Sequence, residues 1–171
     1  ETLKKPFTIN KTHPVIYITG GSLGSHSINA LIKPILTSLL KRYIVIHQTG
    51  NVAQYKDYDT FKQLKHSLPV ELRHRYFLKS HFLSDEIGYI YSQADLVIGR
   101  SGANTFFELV ALHKPAIFIP LPWSANREQQ KHAEMFRAAG TGEVFEQEGD
   151  SEKFLGMIVN IVDNIDSYKE N

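Results

Sequence analysis

The sequence predicts an α/β fold: a parallel sheet of about six strands with helices on both faces. Three observations carry this. Short runs rich in Ile and Val are apolar throughout rather than alternating, which marks strands covered on both sides. These runs alternate with longer stretches of helical character, so successive strands are joined by right-handed crossovers. Two of the runs also end in small-residue turns that open directly into a helix start.

Val15 to Thr19 reads as the first strand, followed by an apolar-rich helix from Ser25 to Leu40 that Pro34 interrupts. Tyr43 to His47 is the second strand, and Val52 to His66 is a polar helical stretch. Arg75 to Leu78 is a short third strand, with a helix over Ser84 to Ser92. Leu96 to Gly99 is the fourth strand and Ala103 to Leu112 its helix. Ala116 to Pro120 is the fifth strand, and its helix runs from Arg127 to Ala139. Gly142 to Phe145 is a sixth short strand. The last helix starts near Asp150 or Ser151 and runs to Asn164.

At 171 residues the chain is long enough to bury one core, and residues 15–165 read as one domain behind a polar lead-in of residues 1–14. Net charge is +1 with no long run of one sign, which gives no footprint for nucleic acid. With no cysteine, disulfides, thiolate metal sites and cysteine nucleophiles are excluded, and a cytoplasmic setting fits. No apolar stretch is long enough to span a bilayer. The abrupt start, without Met, reads as a piece of a longer protein.

Candidate function gathers at the strand ends. Gly20-Gly21-Ser22-Leu23-Gly24 follows the first strand, where glycines permit positive φ and close approach of the backbone to a ligand. It reads as a phosphate cradle, as a purely structural turn, or, through its match to G-x-S-x-G, as a nucleophile elbow with Ser22 as nucleophile. Arg100-Ser101-Gly102-Ala103-Asn104-Thr105 follows the fourth strand; Ser101 and Gly102 sit where a helix cap belongs. Such junctions expose backbone N–H groups and the positive end of a helix dipole, so a pair of them suits a diphosphate. Glu108 lies among Phe106, Phe107, Leu109, Val110 and Leu112, a setting in which a carboxylate needs a partner. It can accept two hydrogen bonds from vicinal ribose hydroxyls, or pair with a cation. Asn126 and Gln129 form a plausible capping box, or amides that bond sugar hydroxyls. His47 either faces the cleft or closes its strand. Asp57-Tyr58-Asp59 matches a metal-binding D-x-D but lies in a polar helical stretch, and the eight histidines show no metal-ligand spacing.

In order and spacing these segments resemble the C-terminal, donor-binding domain of the MurG-type transferases of glycosyltransferase family 28. The landmarks are Gly20 to Gly24 with Asn29, His47-Gln48-Thr49-Gly50, Ala94-Asp95, Arg100 to Ala103 with Glu108, and Gln129 with Ala133, spread over Val15 to Gln147. The resemblance implies a Rossmann-like sheet, the C-terminal half of a GT-B enzyme. It also implies transfer of N-acetylglucosamine from UDP-N-acetylglucosamine to lipid I, giving lipid II for peptidoglycan, with inversion and without metal or other cofactor. Gly21, Ser22 and Gly24 are then expected at the nucleotide phosphate, and Phe82 and Leu83 at uracil, with a backbone contact from Leu83. Glu108 is expected at the ribose, and Ser101, Gly102, Ala103, Asn104 and Thr105 at the diphosphate and sugar. Glu128 and Gln129 match a pair that is usually His-Gln or Gln-Gln and reads the sugar hydroxyls; Glu128 departs from it.

The resemblance assigns the catalytic base, the acceptor loop and the membrane-docking surface to an N-terminal domain that this sequence does not contain. The chain alone is therefore expected to bind UDP-sugar without turnover, with lipid I and the inner membrane face engaged only by the full-length protein. The alternatives are the catalytic subunit of a two-part dolichol-linked transferase, an α/β-hydrolase using Ser22, and a non-catalytic nucleotide-sugar binding module.

Overall fold

The computed structural model describes residues 4–170. Six parallel strands form one sheet: β1 (Val15–Thr19), β2 (Ile44–Gln48), β3 (Tyr76–Lys79), β4 (Leu96–Gly99), β5 (Ala116–Phe118) and β6 (Gly142–Val144). Their order is β3-β2-β1-β4-β5-β6, so the winding reverses between β1 and β4. All five pairings are parallel, with Tyr17 opposite both Ile46 and Val97.

The unalternating strands divide their side chains between two cores. Ile16, Ile18, Leu96, Ile98 and Ile117 point to one side; Val15, Tyr17, Val97, Ala116 and Phe118 point to the other. The first core is covered by α1 (His26–Arg42), α2 (Asp57–Ser67) and α7 (Ser151–Asp163), through Ile28, Ile35, Leu39, Phe61, Phe154 and Ile158. The second is covered by α4 (Ser84–Gln93), α5 (Ala103–Ala111) and α6 (Glu128–Ala138), through Tyr89, Ile90, Phe106, Leu109 and Phe136. Two short helices, α3 (Val70–Arg73) and α8 (Ile165–Lys169), complete the order.

The expected strands and long helices are present, with instructive differences. α1 runs unbroken through Pro34. The proline removes the hydrogen bond to the Ala30 carbonyl, but both residues lie on the exposed side, where the freed carbonyl is open to solvent. Seven buried apolar side chains on the opposite face, each contributing about 1.5–3 kcal/mol, outweigh a cost of about 3 kcal/mol. α2 starts at Asp57 rather than Val52, because Lys56 adopts φ 51° and residues 52–56 close as a turn. The lead-in is docked: Phe7 stacks on Phe77 at 4.6 Å between ring centroids and meets the Phe82 ring edge-on at 5.9 Å.

Candidate functional site: a cleft at the reversal of strand order

The carboxyl ends of β1 and β4 flank the reversal point, where an open parallel sheet leaves a crevice. A cleft of about 630 Å³ opens there. It is lined by Gly20 to Ser25 from the β1–α1 junction, Arg100 and Gly102 to Thr105 from the β4–α5 junction, and Leu121, Glu128 and Gln129. Nine of the residues expected to bind donor thus meet in one place: Gly21, Ser22, Gly24, Gly102, Ala103, Asn104, Thr105, Glu128 and Gln129. Ser101, Phe82, Leu83 and Glu108 are not on its wall. A second, more apolar groove of about 420 Å³ lies between α5 and α6, toward the amino ends of β5 and β6, and holds none of the thirteen.

The glycine turn is fixed by backbone geometry. Gly21 and Gly24 both have φ 82°, and the Gly24 N–H donates to the Gly21 carbonyl at 3.1 Å. Gly24 packs against Gly50, which has φ 76°; a Cβ on either would come within 2.4 Å of the other segment's backbone. Glycine is therefore required twice for close approach as well as for its φ. Ser22 is exposed, and among the described residues no histidine or carboxylate bonds to its hydroxyl, so the hydrolase reading lacks a base for its nucleophile.

The two helix starts differ from expectation. Ser101 does not cap α5; Gly102 holds that position, with no side-chain cap. The Ser101 hydroxyl is fully buried and donates to the Gln129 carbonyl at 2.6 Å, while its own carbonyl meets His132 Nδ1 at 2.9 Å. Ser101 therefore ties the start of α5 to the start of α6. The Asn126–Gln129 capping box is also absent. Asn126 and Arg127 adopt φ 51° and 53°, and Arg127 takes the cap position of α6 without a side-chain bond. Gln129 instead accepts the Leu121 N–H through Oε1 at 3.0 Å. One of the two acceptor sites on its oxygen is thus used, while the Nε2 donors bond no described residue.

Glu108 is exposed, not embedded: α5 buries Phe106 and Leu109 but leaves Phe107 and Val110 open to solvent. The carboxylate accepts a hydrogen bond from Tyr91 Oη at 3.1 Å. Burial, with the nearby Tyr17 and Glu108, pushes the Tyr91 phenol up, so it stays a donor. Phe82 is buried between Phe7 and Tyr17, so the exposed surface at this end is the Leu83 side chain. The Leu83 N–H is already donated to Glu86 Oε2 at 2.8 Å, and its carbonyl accepts the Glu86 and Ile87 N–H groups. A base contact through that N–H would have to displace Glu86.

Two residues that the sequence reading named only as landmarks, with no role, take part in the site's framework. Arg100 lines the cleft and donates to the Ile119 carbonyl, Ser25 and Ser27 hydroxyls, and Gln147 Oε1, at 2.7 to 3.0 Å. Burial draws its pKa down, with Glu148 opposing. A guanidinium held by four neutral oxygens keeps its positive field for the cleft. Gln48 is the other, described below. His47 is interior: its ring bonds Tyr76 Oη at 2.9 Å and Asn29 Oδ1 at 3.0 Å, and burial lowers its pKa to about 3. Asn29 also donates to the Thr49 carbonyl and to Asp57, both at 2.9 Å. The D-x-D aspartate Asp57 thus serves this network.

The glycosyltransferase family 28 C-terminal domain model matches residues 15–171. This chain belongs to that family. The chain is 35% identical over 159 residues to the UDP-N-acetylglucosamine–N-acetylmuramyl-(pentapeptide) pyrophosphoryl-undecaprenol N-acetylglucosamine transferase of Lachnoclostridium phytofermentans, covering 92% of this chain and 41% of that protein. It is 38% identical over 159 residues to the transferase of the same name from Clostridium perfringens strain 13, covering 90% and 40%. This family 28 domain thus spans about two-fifths of the length of these relatives. Among solved structures, Acinetobacter baumannii MurG aligns over 95% of this chain and 44% of its own, with a TM-score of 0.75 and 24% identity, a likeness of fold.

Proposed function

We propose that this domain binds the donor, UDP-N-acetylglucosamine, for an inverting N-acetylglucosaminyltransferase of peptidoglycan synthesis that converts lipid I to lipid II. The observation that carries this reading is the meeting of both small-residue junctions in one cleft at the sheet reversal, in a family 28 domain. The diphosphate lies between the Gly20–Gly24 turn and the start of α5. It meets the Ser22 hydroxyl and the N–H groups of Ala103, Asn104 and Thr105, which no described residue bonds. Leu83, backed by Phe82, flanks the base, and Glu108 takes the ribose hydroxyls with Tyr91 holding its second oxygen. Gln129 donates to sugar hydroxyls, and Glu128, exposed at the first position of α6, accepts from them.

In the displacement, the acceptor hydroxyl attacks the anomeric carbon, the bond to the β-phosphate oxygen breaks, and UDP leaves with the bonding electrons. Negative charge grows on the β-phosphate. Fixed N–H dipoles and the Arg100 guanidinium stabilise that charge without reorganising, so the reading needs no metal. The base that takes the acceptor proton lies outside this domain, as do the lipid acceptor and membrane contacts. Among the described residues no helix is long and apolar enough to cross a membrane.

Calorimetric titration with UDP-N-acetylglucosamine in metal-free buffer tests the reading. Saturable heat is expected; none at millimolar ligand overturns it. Multiple-turnover lipid II formation by this chain alone would overturn the placement of the base elsewhere.

A further inference from the structure

Gln48 closes β2, the strand between β1 and β3, and is 4% exposed. Its side-chain amide is spent on both neighbouring strand exits. Nε2 donates to the Gly21 carbonyl at 2.8 Å and to Thr19 Oγ1 at 3.3 Å; Oε1 accepts the Phe82 N–H at 2.8 Å. One planar group therefore bridges the glycine turn and the segment that carries Phe82 and Leu83.

The bond to Gly21 has a directional consequence. A trans peptide points its C=O and N–H in opposite directions. With the Gly21 carbonyl drawn onto Gln48, the following N–H, that of Ser22, points away from Gln48. At φ 82° Gly21 has more than one accessible peptide orientation, so the choice rests on what holds its carbonyl. Gln48 and the Gly24 N–H hold it together. Thr19 Oγ1 accepts both the Gly21 N–H, at 3.1 Å, and Gln48 Nε2, which closes the lattice.

Resting on the donor-binding reading above, we propose that Gln48 is a positioning residue. Its amide sets the Gly21–Ser22 peptide for phosphate and couples that setting to the nucleobase segment, without touching the donor. Nothing in its sequence environment marks this role, since it depends on residues 27 positions before and 34 after.

The test uses the full chain with Gln48→Met, which keeps length and removes the hydrogen bonds, and Gln48→Glu, which keeps an acceptor for Phe82 but loses the donor to Gly21. UDP affinity is expected to fall about tenfold or more in Gln48→Met and, above neutral pH, in Gln48→Glu. Gln48→Glu should recover toward the unsubstituted chain, compared at each pH, as acid protonates the carboxyl and restores an O–H donor. Folded variants with affinity within twofold of the original overturn the proposal, as does a Gln48→Glu loss with no acid recovery. A third measurement needs no variant to fold. In the unsubstituted chain, inorganic pyrophosphate should shift the Phe82 amide proton resonance, and uridine that of Ser22. Pyrophosphate binding that leaves Phe82 unmoved overturns the coupling while the donor reading stands. Failure of the unsubstituted chain to bind UDP or pyrophosphate overturns the donor reading and this proposal with it.

Discussion

The two helix starts that face the cleft meet the same backbone problem differently: one has a side-chain cap and the other has none. At α1, Ser25 caps the helix by accepting the Ile28 N–H, and its hydroxyl also takes a bond from Arg100. Below it, Asn29 is locked to His47, Thr49 and Asp57. At α5 the cap is Gly102, which offers no side chain, and the first-turn N–H groups are left to whatever enters the cleft. The α1 junction is thus a wall built on its cap and on Asn29, with the His26 and Ser27 N–H groups still unbonded among the described residues; the α5 junction leaves all three first-turn N–H groups, of Ala103, Asn104 and Thr105, as open donors. A cap that pairs a helix's own donor contributes to the fold; an uncapped start keeps more donors for binding.

The largest test breaks the wall. Gly24→Ala sets a Cβ against the Thr49 carbonyl at a φ of 82°. It should cost about 2–4 kcal/mol in stability, and UDP binding should vanish with the displaced turn, as read by thermal melting and titration. Glu108→Ala comes next on the open side: about 1–3 kcal/mol lost in UDP affinity with the melting temperature nearly unchanged. A large melting shift with unchanged affinity would assign Glu108 to structure instead.

Proline at the first helical position removes an N–H while keeping helical φ, so it sharpens the contrast directly. Ala103→Pro should weaken UDP binding roughly fivefold to tenfold with little change in stability. His26→Pro at the equivalent position of α1 should leave affinity within twofold. Equal losses from both would erase the distinction. The last prediction concerns stability rather than binding and comes through His47. Its folded pKa, lowered from 6.5 to about 3 by burial, means that the unfolded chain binds the extra proton across that window. Stability should therefore fall as pH drops below about 6.5, by at most roughly 1.4 kcal/mol per pH unit. Urea unfolding from about pH 7 to about pH 5 reads this slope, and His47→Gln should flatten it.

The central strands were legible because a strand covered on both faces is apolar over most of its length, and local composition records that. The short helices α3 and α8 were not, since four or five residues carry too little periodicity. In the site, residues that act through their backbone, such as Gly21 and Gly24, announced themselves by type. Ser101 and Gln129 both looked like local caps, but each bonds across loops instead. Glu108 was misjudged because its apolar neighbours were counted without knowing that three of them, Phe107, Val110 and Leu112, face solvent. Gln48 and Arg100 act through partners far along the chain, which no window of sequence contains.

The docking of the lead-in has a mechanical side. The Lys4 N–H bonds the Asp85 carbonyl, and Phe7 rests on Phe77 and Phe82. Tension applied to the chain ahead of Phe7 is therefore borne first by the segment beside Leu83 and only afterwards by β1. A tug on this strap would loosen the proposed base pocket before it strained the sheet.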